Sequence, residues 1–168
     1  MMQPVTEHPG ERMRLSDILS VDRILVDVDG SIVKTKADAL RRLSEMLSPA
    51  ISVGANEVEH LLLEREKLQS TGIGDGVAIP HCALEAAQAQ ALALLLCPRG
   101  VEFDAIDGEP VEIVFGVVGP KRATGEHLRT LARISRLLRD EQTRLRLLAS
   151  PNATAAYQLI DANENAQR

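Results

Sequence analysis

Two apolar runs constrain this chain more than anything else in it: "ALALLLC" at 91–97 and "VEIVFGVVG" at 111–119. Each reads as a buried strand, and the turn "AIDGEP", with Asp107-Gly108 at its centre, precedes the second. Helical periodicity surrounds them. Ala37, Leu40, Leu43, Met46 and Leu47 recur at helical spacing and predict a helix over 35–47. Asn56 is a plausible N-cap for a second helix, in which Val58, Leu61, Leu62 and Leu68 supply the apolar face. A third helix starts near Thr124, with Leu128, Leu131, Ile134, Leu137 and Leu138 as its stripe, and Leu145, Leu147 and Leu148 continue the helical character. "NATAAYQLI" predicts a last short helix capped by Asn152. Near the start, "RLSDILS" reads as a short turn of helix and "RILVDVDG" as a strand followed by a turn. Helices on both sides of strand pairs predict an α/β single-domain sandwich, a mixed β-sheet flanked by helices on both faces.

The 168 residues are enough for one domain that buries roughly 70% of its unfolded surface. Residues 1–12 are expected to be a disordered tail, with Met13 as an alternative start, 13–162 the domain, and 163–168 a C-terminal tail. A net charge of −5 argues against a reader of phosphate backbones. With aromatic residues at 2%, stacking platforms for single-stranded nucleic acid are lacking as well. No nucleic-acid partner is expected. "ALALLLC" is far too short to cross a bilayer, and "MMQPVTEHPGERM" has no apolar stretch of the kind a signal peptide carries, so no membrane insertion and a cytoplasmic location are expected. The two cysteines, Cys82 and Cys97, are too few for a disulfide framework.

The chemistry concentrates in "STGIGDGVAIPHC" at 70–82. Three glycines on alternate positions, Gly72, Gly74 and Gly76, make the backbone permissive, and Pro80 then restricts it immediately before His81. A phosphate loop ending in Gly-Lys-Ser/Thr is absent, and Pro80 obstructs the helix that a dinucleotide fingerprint requires. Zinc is disfavoured because His81 and Cys82 are adjacent and point apart in an extended segment, so no metal or other cofactor is expected. A histidine that merely packs or caps is the plain structural alternative. The reading preferred here is covalent catalysis by imidazole, which is nucleophilic near neutral pH. Phosphoryl transfer to such a nitrogen needs positioning and charge compensation, for which the 72–76 amides, Arg65 and His127 are candidates.

"REKLQSTGIGDGVAIPHC" resembles the active-site segment of the IIA domains of the bacterial phosphoenolpyruvate-dependent phosphotransferase system, in the mannitol/fructose class and nearest its nitrogen-regulatory branch. "LSDILS", "FDAIDGEPVEIVFGVVGP" and "EHLRTLARISRLL" carry the likeness over roughly residues 13–160. The resemblance implies that His81 accepts a phosphoryl group from an HPr-like phosphocarrier protein, while Arg65 and His127 hold its oxygens. It also implies two outlets: regulatory target proteins that sense the phosphorylation state, or the cysteine of a sugar-specific IIB domain. A non-catalytic interaction domain on the same fold is the further alternative. The chain departs from the commonest pattern at Cys82 and Ala83, where a glycine followed by a basic residue often stands.

Overall fold

The computed structural model describes residues 13–166, so the N-terminal tail expected at 1–12 lies outside the described residues. The apolar runs form β5 (Ala91–Val101) and β6 (Val111–Pro120), an antiparallel pair at the centre of a six-stranded sheet. β1 (Ile24–Val26) lies parallel to β5 on its far side. β3 (Val77–Ala78) and β4 (His81–Leu84) both lie parallel to β6, and β2 (Gly72–Gly74) is antiparallel to β3. The sheet is mixed, as expected.

Alternation along β5 divides the core. Ala93, Leu95 and Cys97 face one side, with Val114 and Val118 of β6. Against them pack Leu40, Leu43 and Leu47 of α2 (Lys36–Ile51) and Val58 and Leu62 of α3 (Ala55–Leu68). Leu92, Leu94 and Leu96 face the other side, with Ile113, Phe115 and Val117. That side is covered by α1 (Leu15–Ile18), α4 (Thr124–Leu137), α5 (Glu141–Leu148) and α6 (Ala153–Ala166). A strand buried on both faces has no polar face to alternate with, hence the continuous apolar runs.

Local chemistry sets the helix ends. Thr35 caps α2 by accepting from the Asp38 amide, and Asp38 accepts from the Thr35 amide in return. Asn152 caps α6 as anticipated, its Oδ1 accepting from the Ala155 amide. Several expectations need correction. The cap residue of α3 is Gly54, not Asn56, because the tight turn after Ser52, itself at φ 56°, starts the helix earlier. Leu68 is 83% exposed and Leu128 is 59% exposed, and Ala37 is exposed too; all three lie near helix ends, where a periodic pattern runs past the packed surface. Leu145 belongs to a separate helix, α5, and is exposed. α6 continues to Ala166, through residues expected to belong to a tail.

Candidate active site

His81 opens β4, opposite Val117 of β6. Cys82 and Leu84 point into the α2/α3 side of the core, so alternation turns His81 and Ala83 to the α4 side. The first turn of α4 brings His127 to the same place, with ring centroids 5.7 Å apart and planes tilted by 55°. Both rings are half-buried.

The hydrogen bonding of His81 sets its reactivity. Its Nδ1 lies 2.7 Å from the Ile79 carbonyl oxygen. A carbonyl only accepts, so Nδ1 carries the proton and the neutral ring presents the Nε2 lone pair. Ile79 is itself held: its amide donates to the Thr71 carbonyl at 3.0 Å. Thr71 in turn donates from its amide (3.0 Å) and hydroxyl (2.6 Å) to the buried Glu66 carboxylate, which pairs with Lys36 at 2.8 Å. A continuous chain of bonds therefore runs from the end of α3 to the His81 ring. Burial first, and then the Arg65 charge, hold the His81 pKa below its ordinary 6.5, with the Ile79 bond and Glu66 acting the other way. His127 is lowered too, by burial and then by His81. Near neutral pH both rings are uncharged, the state a nitrogen nucleophile requires.

Arg65 is half-buried on the last turn of α3, and its guanidinium donates to the Gln69 carbonyl at 2.8 Å. It partners neither adjacent carboxylate: Glu64 pairs with Lys67 and Glu66 with Lys36. After burial, its positive charge is the further influence that lowers the His81 pKa.

The structure does not bring the glycines to the histidine. Gly74 and Gly76 belong to the β2–β3 hairpin, where Asp75 and Gly76 both have positive φ (57° and 74°), the requirement of a type I′ turn. The Gly76 carbonyl accepts from Glu112 and Ile113, far along β6 from the Val117 opposite His81: five residues of strand, or about 16 Å. The surroundings are also of the wrong sign. A Cβ on Gly74 would lie 3.5 Å from Asp107 Oδ2 and one on Gly76 would lie 3.5 Å from Glu112 Oε1, while the Asp75 amide already donates to Asp107. Gly72 serves close packing, since a Cβ there would meet the Ala105 Cβ at 2.8 Å and its Cα at 2.9 Å. The group the structure does set beside the His81 ring is His127, on the first turn of α4.

Cys82, next to His81, faces away from it into the core, and burial pushes its thiol up to about 12. Sequence reasoning missed three contributors: Glu66, the Ile79 carbonyl, and Gln90, whose side chain is buried beside His127. Glu66 carried a signal, as an acidic residue among buried positions of α3; the other two carried none.

A mixed sheet with helices on both faces thus holds His81 at the start of one strand with the ring of a second histidine beside it. Comparison with known proteins gives the family. The family model for the phosphoenolpyruvate-dependent sugar phosphotransferase system, EIIA 2, matches residues 17–163, and the chain belongs to that family. A nitrogen regulatory protein of Pseudomonas aeruginosa is 39% identical over 155 residues, covering 92% of this chain and 99% of the relative. The fructose-specific EIIABC component of Bacillus subtilis is 28% identical over 153 residues, 90% of this chain but 24% of that longer protein. Among solved structures, nitrogen regulatory protein IIA-Ntr from Neisseria meningitidis superposes with a TM-score of 0.80 at 31% identity, over 87% of this chain and 98% of that one. No helix among the described residues is long and apolar enough to cross a membrane.

Proposed function

We propose that this chain is a cytoplasmic phosphocarrier that accepts a phosphoryl group on His81 Nε2 from the phosphohistidine of an HPr-like protein and acts as a nitrogen or metabolic regulator. The observation that carries the reading is the Nδ1 bond to Ile79, which fixes the tautomer that leaves Nε2 free to attack. In the transfer, the phosphorus–nitrogen bond of the donor breaks as the bond to Nε2 forms, and the donor nitrogen leaves with its electron pair. The Nδ1 proton stays on His81 and the positive charge that the ring gains is shared with the Ile79 carbonyl. His127 and Arg65 are the groups proposed to hold the phosphoryl oxygens, together with the α4 amides. Gly72, Gly74 and Gly76 act only on the fold.

The regulatory assignment draws on the nitrogen regulatory relatives, which match this chain over most of both lengths. Phosphorylation adds between about 1.5 and 2 negative charges beside two neutral rings, a local change large enough to alter partner choice. The alternative outlet is transport, in which His81 passes the group to the cysteine of a fructose/mannitol-type IIB domain; the fructose-specific relative favours it.

The test is intact mass after incubation with phosphoenolpyruvate, enzyme I and an HPr-type carrier, beside a His81→Ala control. An acid-labile gain of one phosphoryl group, absent from the control, is expected. No gain with several carriers would refute the phosphocarrier and leave an interaction domain. Adding a IIB domain to the phosphorylated protein separates the outlets: prompt transfer supports transport, and retention supports the regulator.

A further inference from the structure

Among the described residues, two buried side-chain polar atoms lack a partner, Gln90 Oε1 and His127 Nδ1. They border the same glycine. Gln90 immediately precedes β5, and since Ala91 pairs with Val118 it stands beside Gly119 of β6. A Cβ on Gly119 would meet Gln90 Cγ at 3.0 Å and His127 Nδ1 at 3.7 Å. Gly119 thus keeps open the space that the two side chains share.

The orientation of the Gln90 amide is not arbitrary. Its Nε2 donates to Glu126 Oε1 at 2.9 Å, and a carboxylate accepts only, so the amide nitrogen belongs on that side. The carbonyl oxygen is then turned inward, an acceptor at 7% residue exposure with nothing to accept from. An N–H on His127 Nδ1, the other unpartnered atom bordering Gly119, is a donor suited to it through one bridging water. His127 Nε2 is left as the nitrogen on the half-exposed side of the ring, beside His81.

We propose that Gln90 is a positioning residue for phosphoryl transfer: held by Glu126, its carbonyl keeps the proton of His127 on Nδ1. The inference rests on the phosphocarrier reading for its use, though not for its geometry. In the unmodified protein the neutral His127 ring carries Nδ1–H and presents a bare Nε2, which does not compete for the His81 lone pair with a donated proton. When the phosphoryl group arrives, Nε2 takes up one proton from solvent and donates it to a phosphoryl oxygen. His127 becomes an imidazolium bonded at both nitrogens, to Gln90 on one side and to the phosphoryl group on the other. Of the titratable and charged groups on the neighbouring elements, His81 on β4 faces the ring, Glu126 precedes His127 on α4 and holds Gln90, and the Arg122 guanidinium is bound to the Ala87 and Gln88 carbonyls. Without the Gln90 carbonyl the imidazolium would have an unsatisfied buried donor, and the ring would favour a neutral Nε2–H tautomer.

The decisive measurement needs no variant: long-range ¹⁵N–¹H correlation of the histidine side chains in the wild-type protein at pH 8. The Nδ1–H tautomer at His127 is expected, and an Nε2–H tautomer would overturn the proposal. A second arm compares Gln90→Met, which keeps the length and loses the carbonyl, with wild type. The His127 tautomer should shift toward Nε2–H, and phosphorylation by the carrier should slow about tenfold, with the His81 Nδ1 signal unchanged. A variant with wild-type tautomer and a rate within twofold of wild type would also overturn it. If wild type itself takes no phosphoryl group, the phosphocarrier reading fails while the tautomer measurement still decides the role of Gln90.

Discussion

Glu66 is the residue at which stability and reactivity should be separable. Its carboxylate, 6% exposed, accepts from the Thr71 amide and hydroxyl and pairs with Lys36 at 2.8 Å. In Glu66→Leu all three donors lose their acceptor. Breaking a buried ion pair by removing one partner costs about 3–5 kcal/mol. The lower end applies here, because Lys36 is 22% exposed, keeps Asp104 at 3.6 Å and stays 5.2 Å from the Phe103 ring centroid. The expected loss is about 3 kcal/mol, or about 1.5 M in the urea midpoint for an m-value near 2 kcal/mol/M. Glu66→Gln retains one acceptor and the volume, and should lose about 1–2 kcal/mol. Both should leave m unchanged. The Gln variant also removes a negative charge that favours protonated His81, so the His81 pKa, followed by NMR titration, should fall further. A cost below about 1 kcal/mol for Glu66→Leu, or a His81 pKa that rises in Glu66→Gln, would refute the chain of bonds as the support of the His81 ring.

The lowered pKa values make two pH predictions of the same sign: unmodified His81 should accept phosphoryl groups at pH values below 6.5, where a free imidazole is mostly charged, and the fold should weaken as pH falls through that region. The unfolded chain binds more protons there than the native one, so the urea midpoint should be lower at pH 5.5 than at 7.5, a difference that shrinks when both His81 and His127 are replaced by Ala. The two buried thiols, each pushed up to about 12, should resist a thiol-specific reagent at pH 8 and react together after denaturation; prompt labelling of the native protein would contradict the packing of Cys82 and Cys97.

Much of this architecture was legible because it rests on local pattern. β5 and β6 are runs too apolar to face water, and α2 and α4 announce themselves by spacing. His81 was singled out because Pro80 and the residues before it are a motif, and His127 because its segment resembles the same family; the structure sets their rings 5.7 Å apart. The failures have a common cause. Leu68, Leu128 and Ala37 continue a helical pattern beyond the surface that can bury them, and where the packed surface ends is decided by other segments. Gln90 reads as a polar residue ahead of a strand; only the register that sets it against Gly119 gives it a neighbour in His127.

The glycine run is where the sequence reading and the structure part. Alternate glycines before a histidine invite the reading of an anion cradle, yet Gly74 and Gly76 lie at an acidic hairpin that would repel a phosphoryl dianion, and the Gly72 amide already donates to Ser70 Oγ. What the hairpin accomplishes is alignment. β3 and β4 pair with β6 in one unbroken register, Val77 with Ile113 and His81 with Val117, so they are two pieces of a single line along the sheet. Pro80 interrupts that line where it has no N–H to contribute, while its carbonyl still accepts from Val117 at 2.9 Å. The interruption lets the Ile79 carbonyl leave the ladder and meet the His81 ring, and the hairpin delivers Thr71 to hold Ile79 in that place. Gly74 and Gly76 therefore bear on His81 at one remove: they shape the turn that returns the chain to β6 in register, and the register determines which nitrogen of His81 is free.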